Sequence, residues 1–399
     1  MPTEQHRNQN RALLIVGIIL IAINLRPALA GVGPLISAIR DTTGLSNTML
    51  GLLTTLPLLA FGVVSMFTSV VTRRLGIEGT IALALSLLTV GIGIRILPSS
   101  VALFGGTLLL GIGIAFGNVL LPSLVKRDFP EKTGLMTSLY SSMLGVGAAL
   151  AAGVSVPLAK DLNLGWHWSL GVWALLSLTA LLIWLPQLNR QTMPKHAKTF
   201  MESVRDLGQS KLAWNVALFM GLQSLAFYVV LAWLPEILQD RGVDENTAGW
   251  LLSLSQGTGV LGTLIVPIWA EKISDQRKLV WYLVILEMVS IAGLMLPESF
   301  LVGLWASLIG FSLGGSFGLA LLFIVLRTHD TETATELSGM AQSIGYLLAA
   351  TGPTLFGALH DLTHTWFIPL LLLLVVAIFK IVTGIIAGKP ESVQQSASE

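Results

Sequence analysis

The chain has 399 residues, of which 53% are hydrophobic and only 11% charged, and its mean hydropathy is +0.78. A soluble domain carries about 25% charged residues, so this composition excludes a water-soluble fold and a disordered chain alike, and leaves a polytopic membrane protein. The net charge of +1 gives no basic surplus for nucleic acid, and the absence of cysteine removes disulfides and thiolate-ligated metals.

A hydrocarbon core about 30 Å thick is crossed by about 20 apolar residues in a helix. Twelve such stretches are predicted, at 12–36, 48–71, 78–97, 101–124, 134–157, 166–186, 212–236, 247–270, 279–297, 301–326, 334–357 and 366–387. They divide the chain into a tail at 1–10, a six-helix bundle at 11–186, a polar linker at 187–211, a second six-helix bundle at 212–388 and a tail at 389–399. The linker has room for a short amphipathic helix. The first span is too long for a cleaved signal peptide and carries an internal arginine. With the N-terminus in the cytoplasm, 17 of the 23 Lys and Arg lie in inner segments and three in outer loops. That is the bias of a multi-pass cytoplasmic-membrane protein with both termini inside.

Charges within spans are the informative ones, because an ionised group at the bilayer centre costs at least ~2.5–3.5 kcal/mol. In span one the run is Asn24-Leu25-Arg26-Pro27, with Gly31, Gly33 and Pro34 close behind. Pro27 has no N–H, so the Ile23 carbonyl loses its helical donor. A bent or broken helix around a buried guanidinium suits an anion or an electron-rich planar solute. The bland reading of Arg26 is a structural cation holding backbone carbonyls at a kink. Arg95, at the outer end of span three, and Lys380, toward the inner end of span twelve, are expected to snorkel to the headgroups. Glu287, central in span nine, is a candidate proton carrier, against a bland reading as a neutral or interhelically bonded carboxyl. All six histidines are assigned to loops or tails and no Asp to mid-span. No P-loop occurs. An intramembrane enzyme, a cofactor and a metal are therefore not expected.

The chain also matches itself at an offset of 200. Arg127 pairs with Arg327, Ser138 with Ser338, Gly145 with Gly345, and Asp161-Leu162 with Trp166 recurs as Asp361-Leu362 with Trp366. Two parallel six-helix halves are the plan of the major facilitator superfamily. Three segments narrow this: Leu52-Leu53-Thr54-Thr55-Leu56-Pro57-Leu58-Leu59-Ala60-Phe61, Gly117-Asn118-Val119-Leu120-Leu121-Pro122 running into Lys126-Arg127-Asp128-Phe129-Pro130, and Leu337-Ser338-Gly339-Met340-Ala341-Gln342-Ser343-Ile344-Gly345-Tyr346-Leu347. They resemble the cyanate/2-nitroimidazole transporter branch (CynX/NimT-type) of that superfamily, over essentially the whole chain.

The resemblance implies an all-α, twelve-helix secondary transporter of small planar polar or anionic solutes, working by alternating access in the lipid bilayer, with protons a candidate coupling ion and a monomer expected. It also implies which spans face the cavity: one, four, seven and ten, with help from two, five, eight and eleven. Candidate substrate contacts are then Arg26, Asn24, Asn118, Tyr140, Ser141, Gln223, Tyr228, Gln256, Gln342 and Tyr346, amides and hydroxyls beside aromatic walls. Interhelical hydrogen bonding is the plain alternative for each uncharged member. Spans three, six, nine and twelve are peripheral in the superfamily, which weighs against Glu287. The superfamily's gating loop between spans two and three corresponds to Thr72-Arg73-Arg74-Leu75-Gly76, with Arg73 where an Asp is usual. The second-half counterpart keeps an acid, Glu271, followed in the same stretch by Asp275 and Arg277. Trp166, Trp168 and Trp366 are expected in an interfacial belt. A proton-coupled exporter of neutral or cationic compounds using Glu287 is the alternative function.

Overall fold

The computed structural model describes residues 4–45, 47–190, 205, 207–243, 245–296 and 301–393. Most of the linker, with the amphipathic helix expected there, lies outside these residues. In lipid every backbone polar group must be satisfied within its own segment, so long apolar runs become helices. The described chain is accordingly helical, in twelve long elements. They are α1 (Glu4–Asn24), α2 (Asn47–Ser65), α3 (Thr68–Ile94), α4 (Ser100–Asp128), α5 (Thr133–Lys160), α6 (Gly165–Gly171 continuing as Trp173–Trp184), α7 (Lys211–Gln239), α8 (Glu245–Glu271), α9 (Arg277–Met295), α10 (Val302–Leu326), α11 (Thr331–Thr363) and α12 (Phe367–Ala387). Ten of them are long and apolar enough to cross a membrane. The others are α2, whose described apolar part is Thr55–Ser65, and α11, which carries Glu332, Glu336, Gln342 and His360 along its length.

The chain divides into two compact units, Met1–Leu121 with Met143–Ala197, and Pro122–Ser142 with Lys198–Glu399. In the first unit α6 packs on α1 and α3. The Trp184 indole donates to the Glu78 carbonyl at 3.0 Å, and the Thr89 and Ser177 hydroxyls meet at 2.9 Å. In the second unit α8 pairs with α10 and α7 with α11, while α9 and α12 pack together on the other side of α10 and α7. Small residues let the backbones of α8 and α10 touch: a Cβ on Gly310 would fall on the Ser255 carbonyl, and one on Gly314 on the Gly259 carbonyl. Without a hydrophobic driving force between helices in lipid, such close packing is what holds them. Thr258 adds a bond to the Ser307 carbonyl at 2.8 Å.

The stretch 122–142 belongs to the second unit because its polar side chains bond there. Lys126 Nζ donates to the Val325 carbonyl (3.1 Å), Thr335 Oγ1 to Ser123 Oγ (2.8 Å) and Thr133 Oγ1 to Glu271 Oε1 (2.9 Å).

Several expectations are corrected. Arg73 and Arg74 are exposed on the last helical turn before Gly76, where two helical stretches of α3 meet at a kink with φ 72° and ψ 173°, so the expected junction is a single residue rather than an extended loop. L-residues rarely adopt that conformation, so the glycine defines the bend. Glu271 likewise ends α8 as a helical residue. Arg95 and Lys380 do not snorkel; both are fully buried. Of the three belt tryptophans only Trp168 is exposed. Trp166 is buried, donating to Thr42 Oγ1 at 2.7 Å, and Trp366 is buried against Trp233 and His360. Successive helix positions point about 100° apart, so Trp166 and Trp168 cannot share a face. His167 and His360 are on helices, not in loops.

Candidate functional site

The first helix stops at Asn24 and resumes as a single turn, Pro27–Ala30, with Leu25 and Arg26 in the turn between. Pro27 removes the N–H that would have continued the helix. The backbone tightens instead: Leu25 N–H bonds the Ala22 carbonyl, and both Leu29 and Ala30 bond Arg26. Arg26 itself is half-buried at the N-cap of the new turn.

Neighbours in the first unit hold this break from four helices. The Asn24 amide donates to Leu20 of its own helix (2.7 Å) and to Leu176 of α6 (3.4 Å). On α5, Gly147 lies against the Ile23 carbonyl that Pro27 orphaned, where a Cβ would collide with it. Leu25 fills the space over Gly117 of α4, beside the buried Asn118. Arg95 at the end of α3 donates Nη1 to the Ala28 carbonyl at 2.7 Å. Asn24 and Arg26 are thus brought together with Arg95, which hydropathy assigned to the headgroups. The legible signal for it was an arginine flanked by apolar residues, Ile94-Arg95-Ile96-Leu97.

The remaining candidates lie in the second unit. Gly221 and Gly345 let α7 and α11 approach closely, with the Cβ position on Gly221 only 3.1 Å from Gly345 Cα. Around that contact Gln223, Gln342 and Tyr346 are all buried. The Gln223 amide donates to Ser224 Oγ at 2.7 Å. Tyr140 is buried on α5. Tyr228 is half-buried, its ring edge-on to Phe227 at 5.3 Å between centroids, and Gln256 is half-buried on α8. Ser141 Oγ donates to the Ser138 carbonyl at 3.2 Å and reaches the Thr263 carbonyl of α8 at 3.5 Å.

Glu287 lies between α9 and α12, with Oε2 at 2.5 Å from Lys380 Nζ. The carboxylate and the ammonium neutralise one another away from water. The α8–α9 turn carries its own network. Arg277 bonds both Asp275 oxygens and holds that carboxylate down to about 2. Arg327, just past α10, donates Nε to the Ala387 carbonyl at 2.8 Å and Nη2 to Gln276. Burial lowers the Arg327 pKa to about 10, so the cation persists at neutral pH.

Comparison with known proteins bears on this arrangement. The Major Facilitator Superfamily profile matches residues 14–353. The 2-nitroimidazole transporter of Escherichia coli (strain K12) is 40% identical over 386 residues, covering 97% of this chain and 98% of that protein. The cyanate transport protein CynX of the same organism is 31% identical over 354 residues, covering 88% and 91%. Among solved structures, the transporter FucP superposes with a TM-score of 0.72 at 16% identity, over 93% of this chain and 99% of that one.

Proposed function

Because this chain belongs to the major facilitator superfamily, in the branch of the cyanate and 2-nitroimidazole transporters, we propose that it moves a small anionic or planar polar solute by alternating access, with Arg26 as the cation of its central site. The observation that carries this reading is the break in α1: a helix opened at a half-buried guanidinium and held open by four neighbouring helices. A planar donor fork matches nitro, carboxylate or cyanate groups, which accept in the same plane. Within the second unit, the buried amides and phenols of Gln223, Gln342, Tyr346 and Tyr140 are the further candidate contacts of this reading. Both termini are cytoplasmic in this reading, by the loop charge bias, and the unit is a monomer.

The test is uptake of radiolabelled 2-nitroimidazole and cyanate by proteoliposomes of the purified protein. Saturable uptake of either, competed by the other, is the expected result. Uptake no faster than protein-free liposomes for both would overturn the substrate class.

The Glu271 contact has a role in gating in this reading. Its carboxylate accepts from Thr133 at the start of α5, where the helix dipole is positive. Gly134 makes the approach possible, since a Cβ there would be 2.5 Å from Glu271 Cβ. Ser138, one turn on, bonds the Leu264 carbonyl, and Ser142 meets Thr263 Oγ1 at 3.3 Å. Loss of a hydrogen bond to a charged group is worth about 1.5–3 kcal/mol, a population shift of about 10- to 150-fold. The chain has no cysteine, so a Ser142→Cys reporter gives one labelling site. Glu271→Ala is expected to raise its maleimide labelling rate at least about tenfold; an unchanged rate would remove Glu271 from the gate.

A further inference from the structure

Arg95 caps the C-terminal end of α3 and is 0% exposed. A long cation at a helix end ordinarily reaches for water or headgroups; this one is turned onto the α1 break. The break creates the need. Val32 N–H bonds Leu29 instead of Ala28, so the Ala28 carbonyl has no backbone donor among the described residues, and Arg95 Nη1 takes it at 2.7 Å. Gly106 of α4 opens the slot for the side chain, since a Cβ there would be 2.7 Å from Arg95 Cγ. Nε and Nη2 have no partner among the described residues. A buried charge without a counter-ion is felt over a long distance in a low-dielectric surrounding.

We propose that Arg95 is a positioning residue for the anion site: by clamping the Ala28 carbonyl it fixes the turn after Arg26, and hence the direction in which Arg26 presents its guanidinium. Its uncompensated charge adds to the positive potential of the break, which favours anions over cations. The inference rests on the reading of Arg26 as the substrate cation. It also explains why α3, peripheral in this architecture, ends in a buried arginine.

The test is a double-substitution cycle on uptake of 2-nitroimidazole and cyanate by proteoliposomes. Arg95→Met is expected to raise KM about tenfold with a maximal rate within about threefold of wild type, and Arg95→Lys, which keeps a donor and a charge, to restore most of the loss. Combined with Arg26→Ala, Arg95→Met should add little, because it acts through Arg26. Amide exchange at residues 28–32 should quicken in Arg95→Met while that of α3 stays unchanged. Additive effects, a loss confined to the maximal rate, or loosening of all of α3 would overturn the proposal. If Arg26→Ala leaves KM unchanged, the Arg26 reading falls; if Arg26→Ala raises KM and Arg95→Met does not, the Arg95 assignment alone falls. Should Arg95→Met fail to fold, Arg95→Lys is compared with the neutral Arg95→Gln. The proposal then requires a KM at least about fivefold lower for Lys, and equal values refute it.

Discussion

Replacing Arg26 with alanine is expected to raise the KM for 2-nitroimidazole or cyanate at least about 30-fold in reconstituted uptake. Removing one partner of a desolvated charge-assisted contact costs about 2–5 kcal/mol, and about 2 kcal/mol already corresponds to about 30-fold. Arg26→Lys should recover part of the loss, because it restores the charge without the planar fork. The fold should survive the change. Bonds from Asn24 and Arg95 and the close approach of Gly147 hold the break whatever side chain stands at position 26. A melting temperature near wild type together with a large KM effect separates recognition from structure. The opposite pattern, a large drop in melting temperature with KM unchanged, would mark Arg26 as a structural clamp.

The second large effect is at Glu287 and Lys380. The two side chains are 1% and 0% exposed and joined at 2.5 Å. Taking away one member of a buried pair leaves an uncompensated charge, which costs about 3–5 kcal/mol. Glu287→Gln and Lys380→Met should each lower the melting temperature strongly. The double substitution Glu287→Leu with Lys380→Met should recover most of it, since apolar replacements of a buried pair are often neutral or stabilising. If the pair is only architectural, the double variant also keeps uptake and its pH profile. Loss of pH-driven uptake in a well-folded double variant would instead make Glu287 a proton carrier. The ion pair weighs against that outcome, because a carboxylate held by an ammonium on α12 already has its charge partner.

Hydropathy made the twelve helices and the break in α1 legible, because both follow from local rules. A span needs about 20 apolar residues, and a proline always removes one donor. The direction of a long side chain is not local. Arg95 and Lys380 were both within reach of an interface by position along their helices. Each turns inward because a partner on another helix waits there: the Ala28 carbonyl for one, Glu287 for the other. No periodicity reports such a partner. The same holds for Trp166, whose indole finds Thr42 across the chain. The junction at 72–76 follows the superfamily's loop pattern, and a single positive-φ glycine is enough to break the helix there. Among the candidate contacts, Asn24 and Arg26 stand at the break that the sequence predicts. The sequence could not say which carbonyls Ser141 would meet, Ser138 on its own helix and Thr263 on α8, since interhelical and intrahelical bonds draw on the same residue types.

The most direct measurement of the central claim is the thermal shift of the detergent-purified protein against three panels: small anions, neutral nitro- or azole heterocycles, and lipophilic cations. Wild type and Arg26→Ala are run side by side. A ligand that binds only the folded protein stabilises it by RT ln(1 + [L]/Kd), about 2.7 kcal/mol at 100 times Kd. The account predicts that anions or nitroheterocycles raise the melting temperature of the wild type and leave Arg26→Ala unmoved, with cations inert on both. Stabilisation by cations alone, equal in the two proteins, would contradict it.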